Sequence, residues 1–132
     1  MTDDEAMPGR SATHRICAAS DLLEGGAGVR FTLEQGDHEP LHAFAVRHGG
    51  QVRAFLNQCA HVPVELDWQP GEFFDDERRF LVCATHGALY HPGDGRCAGG
   101  PCRGRGLRPV PCYESDGSVF ASWPPTQNGP QP

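Results

Sequence analysis

The sequence predicts an all-β chain folded as an antiparallel sandwich or barrel. Short apolar runs follow one another at close spacing, with turn residues between them. Seventeen Gly and twelve Pro in 132 residues demand many loops and leave room for few long helices. Two of the turn clusters, Gly49-Gly50 and Ser115-Asp116-Gly117, each split a pair of apolar runs as a hairpin would.

Element by element, residues 1–14 read as a flexible tail, because they begin with Asp3, Asp4, Glu5, Pro8 and Gly9 and show no apolar periodicity. Residues 20–26 read as one short helical turn, capped by Ser20 and stopped by Gly25-Gly26. Residues 29–33 alternate as a strand, and 43–47 and 52–56 form the first hairpin. Residues 81–83 and 89–90 are short extended pieces around a His-Gly turn, and Pro92-Gly93-Asp94-Gly95 is a further turn. Residues 107–113 and 119–122 form the second hairpin. From Pro124 onward only Pro, Gln, Asn, Thr and Gly remain, so 124–132 read as a second flexible tail and 15–123 as a single domain.

A net charge of −6 argues against duplex nucleic acid or an anionic membrane as the main partner. No apolar run approaches the roughly 20 residues of a membrane span. The acidic, polar start resembles neither a secretory nor a twin-arginine leader, so the expected location is the cytoplasm. In a reducing compartment six Cys call for another explanation than a disulfide framework.

Two of those Cys have a His close behind. The pairs are Cys59-Ala60-His61 and Cys83-Ala84-Thr85-His86, and each follows a predicted strand. Either pair alone is a weak signal. Together they would let two loops present two thiolates and two imidazoles to one point. A structural zinc would accept that set, although its usual pattern pairs Cys with Cys and His with His. A Rieske [2Fe–2S] centre gives both thiolates to one iron and both imidazoles to the other, which two such loops also satisfy.

The chain resembles the Rieske iron–sulfur family, whose motif is Cys-x-His followed at a distance by Cys-x-x-His. The resemblance runs from about Val29 to Val119 and includes Gly99-Gly100-Pro101, which looks like the family's proline-containing third loop. It implies a Rieske-like antiparallel β-sandwich or barrel with a two-loop cluster-binding subdomain, here about residues 57–106. By the same resemblance Cys59 and Cys83 hold one iron of a single [2Fe–2S] cluster, and His61 and His86 hold the other. Neutral imidazoles in place of two thiolates make such a cluster easier to reduce.

Departures within the family are informative. Val62, Pro63, Val64 and Ala84 stand where Rieske proteins of respiratory complexes carry loop-bridging Cys, so that disulfide cannot form. Ala88 replaces a Ser that hydrogen-bonds sulfur there, whereas Tyr90 matches the family's Tyr. One missing donor places the potential toward the lower part of roughly −150 to +300 mV. The chain therefore resembles a soluble Rieske-type ferredoxin, with Tyr90 and Pro101 as outer support. The resemblance implies a flavin reductase as electron donor, an oxygenase as acceptor and no catalytic site in this chain. Nothing after Trp123 would supply the mononuclear-iron domain of an oxygenase. A small or regulatory subunit of a larger oxidoreductase, and a zinc-stabilised interaction domain, are the alternatives.

Other residues receive plainer readings. Cys97 and Cys102, with four residues between them, are expected to be two thiols in a tight loop; a disulfide or second redox pair is the alternative. Cys17 and Cys112 read as small core residues, and His91 as a surface His. Six acids between Glu65 and Glu77 read as a solvated face, and Phe73, Phe74 and Trp68 among them as packing residues. Arg103, Arg105 and Arg108 could form a basic rim that steers an acidic partner, with a solvated role equally open.

Overall fold

A computed structural model describes residues 12–35, 37–59, 64–67, 69–84, 87–102 and 104–124. In chain order their strands are β1 (Ala12–Ala18), β2 (Val29–Gln35), β3 (His38–His48), β4 (Gln51–Leu56), β5 (Leu81–Val82), β6 (Leu89–Tyr90), β7 (Cys97–Gly99), β8 (Cys112–Ser115) and β9 (Ser118–Trp123). They form three antiparallel sheets, in the orders β1-β9-β8, β2-β3-β4 and β5-β6-β7. The all-β class is as expected. Among the described residues no helix is long and apolar enough to cross a membrane.

The centre of the fold is β3. Its residues Ala43, Phe44, Ala45 and Val46 are all buried, although successive side chains of a strand point to opposite faces. Ala43 and Ala45 face a core with Leu33, Ala54, Val119, Ala121 and Trp123. Phe44 and Val46 face a second core with Phe73, Leu81, Cys83, Ala88 and Tyr90. The sheet β2-β3-β4 is therefore the middle layer, between the sheet of β1, β8 and β9 and the small sheet of β5–β7. The Phe44 ring stacks on Phe73 with centroids 3.9 Å apart and so ties the small sheet's loops to β3. Phe73 is thus a packing residue, as expected; Trp68 lies outside the described residues.

The hairpin of β3 and β4 turns at Gly49-Gly50, both at positive φ as a two-residue type I′ turn requires. The Glu24 carboxylate accepts the Gly49 and Gly50 N–H groups at 2.7 and 2.9 Å and caps the turn. Elsewhere the structure corrects the boundaries. The first strand starts at Ala12, so residues 12–14 belong to β1 and not to a tail; they pair with Trp123, Ser122 and Ala121. The helical turn is a three-residue 3₁₀ turn, Ala19–Asp21, whose Asp21 carboxylate accepts the Ala18 N–H. Residues 22–26 run on as loop. Strand β8 begins only at Cys112, because Pro109 and Pro111 lack the N–H groups a ladder needs. The second expected tail lies outside the described residues beyond Pro124.

Cys17 is buried and Cys112 half-buried, both on the first core. Burial raises the Cys17 thiol and pushes Cys112 up to about 11, as expected of small core residues.

Candidate metal centre

The segments carrying Cys59 and Cys83 follow β4 and β5. The first follows β4: Asn57 N–H donates to His42 O at 2.8 Å, and Cys59 N–H donates to Val64 O at 2.7 Å. The buried Asn57 side chain holds the loop closed. Its Oδ1 accepts the Leu66 N–H at 2.8 Å, and its Nδ2 donates to Asp67 Oδ1 at 3.1 Å. Asp67 Oδ2 accepts the Gly71 N–H at 3.0 Å and lies 3.5 Å from Arg30 Nε. Arg30 also donates to Glu65 at 2.6 Å.

The second loop follows β5. Cys83 N–H donates to Ala88 O at 2.9 Å, and Gly87 N–H donates back to Cys83 O at 2.7 Å, closing a tight turn. Ala84 N–H donates to Leu66 O at 3.0 Å and so joins the second loop to the first. Cys59 and Cys83 share one buried apolar cluster with Ala88 and Tyr90, and the Tyr90 hydroxyl sits 3.3 Å from Cys59 Sγ.

A third loop covers them. Gly100 has φ +83°, and a Cβ there would meet Gly87 O at 2.8 Å and Ala88 Cα at 3.0 Å. Pro101 follows it in an exposed turn. The loop is closed by a disulfide between Cys97 and Cys102, which overturns the expectation of two thiols. The bend at Gly100 after β7 brings their Cα atoms to 5.7 Å, within the span a disulfide bridges.

The expected donors divide cleanly. Cys59, Cys83 and Tyr90 come together, whereas His61 and His86 lie outside the described residues. Among the described residues no group of three or more His, Cys, Asp or Glu gathers to hold a metal. The donor set nevertheless suits an iron–sulfur cluster on the Cys side: two sulfurs in a dry, apolar setting, with a phenol hydroxyl beside one of them. Fully buried Ala88 offers no hydroxyl to a second sulfur.

Sequence reasoning missed Asn57 and Asp67. Asp67 is one of the six acids read as a solvated face, yet its carboxylate is buried and fully engaged. Glu65 is bound to Arg30, and Asp75 accepts the Arg79 and Phe80 N–H groups. Arg108 sits over the Trp123 ring at 5.4 Å, Arg105 is exposed, and Arg103 lies outside the described residues. His91 is exposed, as expected, edge-on to Phe80.

The Rieske [2Fe-2S] domain family matches residues 12–114. Comparison with curated protein sequences finds no match. Among solved structures, the ferredoxin of carbazole 1,9a-dioxygenase from Nocardioides aromaticivorans IC177 superposes with a TM-score of 0.65 at 20% identity, covering 83% of this chain and 96% of that one. The Sphingomonas yanoikuyae B1 ferredoxin gives 0.64 at 19% identity, covering 86% of this chain and 100% of that one. A chain in the complex of reduced oxygenase and oxidised ferredoxin of carbazole 1,9a-dioxygenase gives 0.63 at 22% identity, covering 83% and 92%. At these identities the structural likeness speaks for the fold.

Proposed function

The chain belongs to the Rieske [2Fe–2S] family and carries one Rieske-type cluster, and on that premise we propose that it ferries single electrons from a flavin reductase to an oxygenase. The cluster supplies the redox chemistry by accepting and releasing one electron. The protein's own residues hold it, set its potential and present it. The observation that carries this reading is the family match itself, which spans both Cys-His loops and the covering loop.

In this reading Cys59 and Cys83 are the thiolate ligands of one iron, and His61 and His86 the imidazole ligands of the other. With Cys59 as a thiolate ligand, the Tyr90 hydroxyl 3.3 Å away would donate to its Sγ, which would favour the more negative, reduced state and raise the potential. Ala88 gives no such help, so the potential falls in the lower part of the family's range. Gly100 in the third loop packs on Gly87 and Ala88 of the second ligand loop. Residues 12–123 act as one domain, and the chain turns over no substrate itself.

Support for an oxygenase as acceptor comes from the solved complex in which a ferredoxin sits with the oxygenase of carbazole 1,9a-dioxygenase. A flavin reductase as donor follows from the family resemblance. Stopped-flow absorbance tests both halves. With NADH and a flavin reductase, the visible bands of the oxidised protein should bleach; with a carbazole-type oxygenase, those of the reduced protein should recover within milliseconds to seconds. Recovery no faster than in buffer alone would overturn the carrier role.

A further inference from the structure

Cys97 and Cys102 form a disulfide outside the four ligand positions, and its contacts lead directly to the second ligand loop. Cys97 pairs with Tyr90, and Gly99 with Leu89, in the β6–β7 ladder. Gly100, between the two Cys, packs on Gly87 O and Ala88 Cα. Gly87 and Ala88 in turn close the turn at Cys83 through hydrogen bonds of 2.7 and 2.9 Å. Three steps connect the disulfide to the Cys83 backbone.

The two sulfurs differ in setting. Cys102 is fully buried, with its Sγ 3.2 Å from Gly99 O and 3.4 Å from Leu89 O. A disulfide sulfur has no proton to give these carbonyls, whereas a thiol has one. Burial therefore does not penalise the reduced form. Cys97 is half-buried and lines an open cleft of about 380 Å³ with Arg96, Gly104, Arg105 and Gly106. Arg96 and Arg105 give that cleft a basic lining, which favours the approach of an anionic thiolate.

We propose that Cys97–Cys102 is a reversible clasp on the second ligand loop, closed as the disulfide and opened by a small anionic thiol of the glutathione class entering at Cys97. The incoming thiolate bonds to Cys97 Sγ, the S–S bond breaks, and Cys102 leaves with the electron pair and takes up a proton. A second small thiol attacks the mixed disulfide, and Cys97 leaves as a thiol. The clasp thereby gains two electrons and two protons, which the two small thiols lose as they join in a disulfide. Once open, it no longer holds Gly100 on Gly87 and Ala88, and the second ligand loop loosens. The effect on the cluster rests on the Rieske reading; the thiol exchange does not.

The test uses the full chain, purified with its cluster and equilibrated across reduced and oxidised glutathione. Alkylation and mass measurement count thiols, while visible absorbance follows cluster loss to an iron chelator. Cys97 and Cys102 should convert together as one two-electron couple. Bleaching should quicken on the order of tenfold when they open and slow again on reoxidation. A protein carrying Cys97→Ser with Cys102→Ser should bleach at the open rate in every buffer. Should that variant not fold, the glutathione series on the wild type still decides. A pair that never exchanges, or one that exchanges with bleaching unchanged, would overturn the clasp alone. A colourless wild-type protein would overturn the Rieske reading and the clasp's hold on the cluster together, with the thiol count reporting exchange separately.

Discussion

In the sandwich, β2 and β3 stay paired from Val29 and Ala45 to Gln35 and His38, whereas in the small sheet beside Cys59 and Cys83 the strands β5 and β6 share only two pairs. Among the described residues between 57 and 102, further ties come from elsewhere. They come from the Asn57–Asp67 hydrogen bonds, the turn at Cys83, the close approach of Gly100 and the Cys97–Cys102 disulfide. A long ladder shares its load over many residues. Point contacts do not, so single substitutions should act sharply on the region around Cys59 and Cys83 and gradually on the sandwich.

Four substitutions separate the two regions. Cys83→Ser should have the largest effect: loss of the visible chromophore, with the far-UV circular dichroism of the sandwich retained. Collapse of both signals would show that the sandwich depends on the cluster. Next comes a matched pair. Asn57→Leu leaves the Leu66 N–H and one Asp67 oxygen without partners, at about 3 kcal/mol, and should strip most of the iron from purified protein. Leu33→Ala, in the sandwich core, should cost about 3 kcal/mol in urea unfolding yet leave the iron content unchanged. Equal iron loss in the two would erase the distinction. Tyr90→Phe keeps the packing and removes one hydrogen bond to Cys59 Sγ, so a redox titration should show the potential lower by about 50 mV.

The smallest effect belongs to pH. Hydrogen bonds from the Gly50 and Gly49 N–H groups hold the Glu24 carboxyl below its ordinary value, and the Arg47 guanidinium does the same for Glu114. Both anions are therefore bound better in the folded than in the unfolded chain. Their contribution is present above the ordinary Glu range and is lost as pH falls through the depressed folded values. Glu24→Gln should flatten the dependence of stability on pH in acid and change cluster content not at all. Urea unfolding at neutral and acid pH measures it.

The same contrast governs how much the sequence alone reveals. The β2–β4 sheet is legible because alternating apolar residues and Gly49-Gly50 are local signals. The Cys-His pairs are legible for the same reason, since each lies within a span of four residues or fewer. Strand β1 is not, because His14 and Arg15 interrupt its apolar pattern and its pairing with β9 is settled about a hundred residues away. Asp67 reads as one more acid in an acidic run; only the fold brings Asn57, Gly71 and Arg30 around it. The disulfide is hidden because it depends on the bend at Gly100, and an expected reducing compartment favours a thiol pair.

The most direct measurement is the reduced-state EPR spectrum of freshly purified full-length protein, with iron, sulfide and zinc assayed on the same sample. A red-brown protein with two irons and two sulfides per chain, and the low average g-value of a His-ligated cluster, is the predicted result. A colourless protein holding one zinc, or the higher average g-value of an all-Cys cluster, would contradict it.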